Sequence, residues 1–405
     1  MQKEFLHCSD QDPELVTTFS KLLSLSTAER ESLGVIHTLG EIVQQPQTWQ
    51  RTYDKLLDSS QPIEEFLNGA GLGTATRSSL HVLLVGAGTS DYIGKTVCAL
   101  LQKEWQCDVQ AVPSTDLLTN MDDYVLPDRD YLWISFSRSG ESSEGVAVLQ
   151  EALTRYPRIK HLIVTCNENG TMARSFLGSN VFSFVLNDEV NDRGLAMTSS
   201  FSNMVIVAQA LAHYRALVSY RPILECLATC ASLLLPRAMS TCEQMVDEGF
   251  SKVCFLGTGP LKGAAIESAL KVLELTSGRV IGLSESFLGL RHGPLSVIDG
   301  QTLVVGFLSS DARRRAFEMD LLTEISDKEL TRKCLVVTPV DVRPQFTNTL
   351  QLELSQPVSD LYLSPVFVLI VQCLGLFASL REGLRPDQPS PHGAISRVVS
   401  HVKIY

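Results

Sequence analysis

Three charged residues pose the first question. Glu267, Lys271 and Glu274 follow one another at spacings of four and three. On a helix they share one face. Two carboxylates beside an ammonium can move a proton. One carboxylate takes it, and the cation tunes that base or steadies a developing oxyanion. The same spacing suits a solvated Glu–Lys pair, and spacing alone leaves both readings open. Downstream, Ser284-Glu285-Ser286 leads to Arg291-His292-Gly293-Pro294. A histidine ahead of Gly-Pro sits in a restricted loop. His292 is a candidate to face a ligand, with a structural histidine as the alternative.

A second group is made of hydroxyls. Ser137-Arg138-Ser139-Gly140-Glu141-Ser142 follows the apolar run Tyr131 to Phe136 and precedes a helix-like segment. Free N–H groups and the dipole at a helix start attract an anion. Serine hydroxyls add donors without charge, and Gly140 lets the backbone come close. Thr89-Ser90 closes the preceding strand-like run and would face the same crevice. The loop is not a Walker loop, since Gly-Lys-Ser/Thr is missing. Gly86-Ala87-Gly88-Thr89-Ser90-Asp91 has an acid where a dinucleotide fingerprint needs its third glycine. A cap cluster with no ligand is the other reading. Two hydroxyl-rich strand ends in one half favour phosphate.

The elements around these groups alternate. His81 to Val85, Tyr131 to Phe136 and His161 to Thr165 are short apolar runs, separated by segments of helical period such as Ile93, Val97, Leu100 and Val146, Leu149, Leu153. That order predicts βαβ units and a parallel sheet. The pattern then restarts. Gly257 lies 171 residues after Gly86, Phe307 lies 171 after Phe136, and Thr338 lies 173 after Thr165. Constant offsets across three runs indicate an internal duplication of an α/β domain. The copies are unequal: Leu308-Ser309-Ser310-Asp311 stands where the first has its serine loop, so only the first copy is expected to bind a ligand there. Ser26-Thr27-Ala28-Glu29 reads as a capping box, and Leu39, Ile42 and Val43 as one helix face before Pro46. Residues 203–245 read as helices joining the halves.

Composition narrows the classes. The chain has 405 residues, 44% of them hydrophobic and 20% charged, which suits packed domains and excludes global disorder. A net charge of −11 argues against broad nucleic-acid or acidic-membrane surfaces. The ten cysteines include Cys8 and form no CxxC pair. Cys226 and Cys230 are four apart in an apolar stretch. Reduced, buried thiols in a cytoplasmic protein are expected. The start, Met1 to Phe5, shows no signal-peptide h-region. The apolar window Pro365 to Leu380 is shorter than the roughly 20 residues a span needs, so a buried helix is expected. The eight histidines show no HxxxH or HxH spacing, and no metal or cofactor is expected.

The strand–GAGTS (86–90), SRSGES (137–142) and NDRGLAMTSS (191–200) series, then GTGPLKGAAIESALKVLELTSGR (257–279) and RHGPLSVID (291–299), resembles the sugar isomerase (SIS) superfamily. The pattern is most similar to the galactosamine-6-phosphate deaminase/isomerase subfamily, formerly described as tagatose-6-phosphate ketose/aldose isomerases. It also resembles the isomerase half of glucosamine-6-phosphate synthase. The resemblance implies two tandem SIS domains, each a parallel five-stranded sheet flanked by helices in a flavodoxin-like, doubly wound arrangement. Residues 1–50 would form a helical N-terminal segment, 51–215 the first, phosphate-binding domain, and 216–405 the second domain with acid–base residues and a C-terminal tail. By resemblance, Thr89, Ser90, Ser137, Ser139 and Ser142, with Arg138 in the same loop, hold a sugar phosphate. The loop carrying Ala196, Thr198 and Ser199 lines the pocket. Glu274 moves a proton between C1 and C2, Glu267 contacts the sugar, and His292 opens the ring, reaching in from a neighbouring subunit. A homodimer or higher oligomer with shared sites is implied.

Two departures matter. The synthase carries a glutaminase domain, and only about 50 residues precede the first SIS domain here. Ammonia release becomes the natural direction. The synthase also places a Schiff-base lysine in its tail, where this chain has Arg397 nearest. Arginine stays protonated and forms no imine, so Arg397 or His392 would cover the substrate instead. The expected reaction converts galactosamine 6-phosphate to tagatose 6-phosphate and ammonia, with Lys271 steadying the enolamine. A plain aldose–ketose isomerase is one alternative. A sugar-phosphate sensor is another, disfavoured by the presence of both Glu274 and His292.

Overall fold

The computed structural model describes residues 15–74, 77–343, 345–399 and 402–405. Cys8 and the Met1–Phe5 start lie outside the described residues. Five short helices come first: α1 (Leu15–Ser24), α2 (Thr27–Leu33), α3 (Thr38–Val43), α4 (Gln45–Asp58) and α5 (Ser60–Leu67). Ser26 and Glu29 form the expected capping box at the start of α2. The first sheet runs β1 (His81–Gly86), α6 (Thr89–Trp105), β2 (Asp108–Pro113), α7 (Ser114–Tyr124), β3 (Tyr131–Ser137), α8 (Ser143–Arg155), β4 (Lys160–Thr165), α9 (Thr171–Arg174) and β5 (Val181–Val185). Helices α10 (Ser199–Leu211) and α11 (Arg221–Asp247) lead to the second half. It comprises β6 (Lys252–Gly257), α12 (Leu261–Leu275), β7 (Ile281–Glu285), α13 (Phe287–Leu290), β8 (Thr302–Phe307), α14 (Ala312–Asp327), β9 (Cys334–Thr338), β10 (Thr349–Gln351) and α15 (Asp360–Arg381).

Both sheets are parallel and five-stranded, with orders β2-β1-β3-β4-β5 and β10-β9-β8-β6-β7. Numbered within its own half, the second repeats the first. This is the doubly wound order in which the winding reverses between the first and third strands, and ligands bind above the carboxyl ends of the strands at that reversal. β3 and β8 are buried along their whole length and have no exposed face, as parallel strands sandwiched by helices require.

Two helices, Tyr214–Asp247 and Asp360–Arg381, are long and apolar enough to cross a membrane. The apolar window of α15 is 94% buried inside the fold, so the helix serves as core. Cys226 and Cys230 both face inward from α11. Of the nine described cysteines seven are buried, and Cys98 and Cys334 are half-buried.

The halves meet where α6 and α12 cross. Gly263 on α12 faces the backbone of Thr96 on α6. A Cβ at 263 would lie 2.6 Å from the Thr96 Cα and 2.8 Å from its nitrogen. Only glycine permits this approach, because backbone atoms cannot move aside as a side chain would. Gly263→Ala should therefore lower stability by about 1–3 kcal/mol, the usual cost of overpacking. Helix propensity alone argues for a gain of about 1 kcal/mol. Urea unfolding separates the two, and a stabilised variant would contradict the close crossing.

Candidate functional site

The loops after β1 and β3 straddle the reversal of the first sheet and enclose a cavity. Gly86, Ser90, Ser137, Ser139 and Ser142 line it, and Arg397, Val398 and Val399 of the C-terminal tail close it. The serine loop is held by its own hydroxyls. Ser137 Oγ accepts the Gly140 N–H at 3.0 Å, and Ser139 Oγ accepts the Glu141 N–H at 3.1 Å. Each hydroxyl thus keeps its proton as a donor. Gly140 sits at φ +63, which turns the loop into the helix at little cost. Ser142 occupies the N-cap position of α8 without a capping bond from its side chain. Asn167 donates to the Ser139 carbonyl at 2.8 Å, and Glu141 accepts from Thr171, so the neighbouring loop braces this one.

Arg138 lines the same cavity, but its guanidinium donates to the carbonyls of Gly194, Leu195 and Arg397. Its charge braces the 194–195 loop and the tail. Ala196, Thr198 and Ser199 are expected to line the pocket. All three are buried, and Met197 is the member of that loop on the cavity wall. The cause is Asp192. Its carboxylate accepts from the Thr198, Ser199 and Ser200 N–H groups at 2.7, 2.9 and 2.9 Å and from the Thr198 and Ser200 hydroxyls. It caps the start of α10 and pulls these residues beneath the pocket. Ser199 Oγ instead donates to the Glu41 carbonyl at 2.6 Å.

Glu41 belongs to the same foundation. Its Oε1 accepts the N–H groups of Arg193 and Gly194, while Oε2 is buried without a partner. Burial pushes its carboxyl up to about 8, helped by the nearby charge of Asp192. Asp387 in the tail accepts the N–H groups of His37 and Thr38. Arg397 donates to the Asp192 carbonyl and to Asn191 Oδ1, each at 2.6 Å. Chain segments about 150 to 350 residues apart thus meet under one cavity wall. No sequence signal marks Glu41 or Asp387. Asp192 lies inside the NDRGLAMTSS run, where its carboxylate between a turn and hydroxyls was the only hint.

The charged trio lies on α12, beside the start of α6. Lys271 Nζ is 2.6 Å from Glu274 Oε2, 3.2 Å from Glu267 Oε1 and 2.9 Å from Thr89 Oγ1. Thr89 Oγ1 donates to Glu267 Oε1 at 3.3 Å. Burial disfavours the charge on Lys271, yet both carboxylates outweigh it and raise the lysine's affinity for its proton. Burial pushes Glu267 up to about 7, against the pull of Lys271. The side chains of Lys271 and Glu267 are wholly buried, whereas that of Glu274 is 25% exposed. Glu274 is therefore the carboxylate that can meet a ligand. Glu267, expected to contact the sugar, is covered on all sides and stands behind Lys271.

Ser90, next to Thr89, lines the cavity, so the trio and the serine loop adjoin through two consecutive residues. His292 lies in an exposed turn after α13, as does His392 in the tail. That turn is anchored by Arg291, which pairs with Glu324 at 2.7 Å and Asp320 at 2.6 Å. Within one chain, the described structure gives His292 no side-chain bond to either cluster.

The second sheet has the same reversal, and its own carboxylates occupy it. Asp360 accepts from both hydroxyls of Ser309 and Ser310 and from the Ser310 N–H at 2.8 Å, while Glu318 accepts the Ser309 N–H at 2.7 Å. Among the described residues, no group of three His, Cys, Asp or Glu side chains is placed to hold a metal ion.

Comparison with known proteins agrees with this fold. Residues 76–214 match the SIS domain family. The D-galactosamine-6-phosphate deaminase AgaS of Escherichia coli O157:H7 is 34% identical over 369 residues, covering 90% of this chain and 94% of that protein. The crystal structure of tagatose-6-phosphate ketose/aldose isomerase from Escherichia coli superposes with a TM-score of 0.80 at 32% identity, covering 89% of this chain and 95% of that one. The C-terminal domain of glucosamine-fructose-6-phosphate aminotransferase from Francisella tularensis shares the fold, with a TM-score of 0.69 at 21% identity over 85% of this chain and 96% of that one.

Glu41 gives a pH prediction. Its folded carboxyl keeps a proton up to about 8, whereas an ordinary glutamate releases it near 4.5. Its contribution to stability is whole below the lower value and is lost as pH rises toward the upper one. Between these values the loss should run at up to about 1.4 kcal/mol per pH unit. Glu41→Gln should flatten that part of the curve. Urea midpoints from pH 5 to 8.5 for both proteins check this, and parallel curves would refute it.

Proposed function

This chain belongs to the family of SIS-domain proteins that includes the D-galactosamine-6-phosphate deaminase AgaS, and we propose that it performs the deaminating isomerisation of galactosamine 6-phosphate to tagatose 6-phosphate and ammonia. The observation that carries this reading is the placement of Glu274. It is the solvent-reaching carboxylate of the trio, 2.6 Å from a buried ammonium that also donates to Thr89, the residue before the cavity-lining Ser90.

In this scheme the phosphate of the open-chain amino sugar accepts from Ser90, Ser137, Ser139, Ser142 and the N–H groups at the start of α8. Glu274 removes the C2 proton, and the electron pair moves to give an enolamine. Lys271, whose three N–H groups are engaged by Glu267, Glu274 and Thr89, tunes the base from behind without touching the substrate. Glu274 returns the proton to C1, leaving a ketimine at C2. Water adds to that carbon and the C–N bond breaks, so the products are the ketose phosphate and ammonia. Proton transfer by a positioned carboxylate is worth roughly 10²–10⁴ in rate. The scheme calls on no cofactor. His292, in its exposed turn, assists ring opening in the site of a neighbouring subunit, which makes the working form a homo-oligomer. The reading places the enzyme in the cytoplasm, in amino-sugar breakdown.

Ammonia release from galactosamine 6-phosphate should be readily measured, weaker from glucosamine 6-phosphate, and reduced by about 10²–10⁴ in Glu274→Gln. No ammonia from either sugar, with a ketose still formed from galactose 6-phosphate, would replace the deaminase by a plain isomerase. Mixing Glu274→Ala with His292→Ala subunits, after exchange, should recover part of the activity. No recovery would rule out sites shared between subunits.

A further inference from the structure

Thr89 and Ser90 are consecutive hydroxyls at the start of α6, and sequence resemblance gives both to the phosphate. The structure divides them. Ser90 lines the cavity. Both are buried, but the Thr89 hydroxyl is engaged on both sides, accepting from Lys271 Nζ at 2.9 Å and donating to Glu267 Oε1 at 3.3 Å, whereas the Ser90 hydroxyl reaches Met197 Sδ at 3.9 Å, a weak acceptor. A threonine hydroxyl has one proton. A phosphate oxygen needs a donor, and the proton of Thr89 faces Glu267.

We infer that Thr89 is a positioning residue for the acid–base trio and not a ligand of the sugar phosphate. This inference rests on the reaction proposed above. An ammonium has three protons, and Lys271 has three partners: Glu267, Glu274 and Thr89. Two of them lie on its own helix. Thr89 is the third, and it reaches across from the other half of the chain. With all three in place the ammonium is held against Glu274 in one direction. Without the Thr89 hydroxyl, one N–H of a wholly buried lysine has no partner. Glu267 also loses the donor that opposes its protonation, so the charge balance around Glu274 changes. The close crossing of α6 and α12 at Gly263 brings Thr89 within reach. Thr89 therefore ties the geometry of the base to the helix whose next residue faces the phosphate cavity.

The test compares Thr89→Val, Thr89→Ser and Ser90→Ala in the full-length protein. Thr89→Val should lower kcat by about 10²-fold, the scale of a small misplacement of reacting groups, with KM for galactosamine 6-phosphate changed less than about threefold. The acid limb of its kcat–pH profile should move, and Thr89→Ser should restore both rate and profile. Ser90→Ala should instead raise KM and weaken binding of inorganic phosphate, measured by calorimetry, while Thr89→Val binds phosphate as the parent does. A large rise in KM or a loss of phosphate affinity in Thr89→Val, with kcat kept, would overturn the inference. So would an unshifted pH profile. Thr89→Ala replaces the valine variant if that fails to fold. If the parent releases no ammonia, the proposed reaction fails by itself, and the phosphate-binding arm still decides the role of Thr89.

Discussion

A buried ammonium between two halves of one chain governs this structure. Lys271 has no exposed side-chain area, and an uncompensated cation there would cost several kcal/mol. Two carboxylates and a hydroxyl compensate it, and the hydroxyl comes from the other half. That arrangement demands a close helix crossing. Gly263 against the Thr96 backbone supplies it, seven residues along α6 from Thr89. The inter-domain contact and the acid–base chemistry thus depend on one another. The crossing cannot loosen without leaving a buried charge short of a partner.

The duplicated fold offers two crevices of the same kind, and side chains decide their fate. In the first, three serines and the start of α8 leave donors facing a cavity. In the second, Asp360 and Glu318 take up the equivalent donors of Ser309 and Ser310. A carboxylate is itself an anion with oxygen acceptors, so it fills the role a phosphate would have. The second half keeps the anion-binding backbone geometry and uses it to hold α15 and α14 in place. The charged trio of this half sits elsewhere, on α12.

Much of this was legible from the sequence. The 171-residue offsets reflect strands that must be apolar because both faces are covered, so three strands of each parallel sheet were legible, and the five-stranded, doubly wound arrangement came from the family resemblance. The trio followed from helical spacing. What spacing cannot give is depth. Glu267 and Glu274 look equivalent on paper, yet the crossing of α6 covers one and leaves the other at the edge. The residues beneath the pocket were harder. Thr198 and Ser199 read as pocket hydroxyls, but Asp192, six residues upstream, claims them. Glu41 and Asp387 gain their meaning from partners about 150 and 350 residues away. No local pattern encodes such contacts. Thr89 shows the same limit: its hydroxyl meets Lys271 and Glu267 while its neighbour Ser90 lines the cavity, because adjacent residues on a helix point in different directions.

The two cations nearest the cavity explain how an acidic chain can receive an anion. Arg138 and Arg397 both border it, and both direct their guanidinium groups to backbone carbonyls and Asn191. They fasten the tail and the 191–195 segment to the cavity wall. The donors left facing the cavity are hydroxyls and N–H groups at the start of α8. These are dipoles fixed by the fold, and they need no reorganisation when an anion arrives. A lysine or arginine aimed into the cavity would draw anions from a distance, but it would also hold them firmly after reaction. Fixed dipoles act over short range and discriminate by shape. With a net charge of −11, this chain offers little long-range attraction. In the proposed reading, capture of a phosphate depends on fit at the serine loop, and the ammonium of Lys271 is kept behind Glu274.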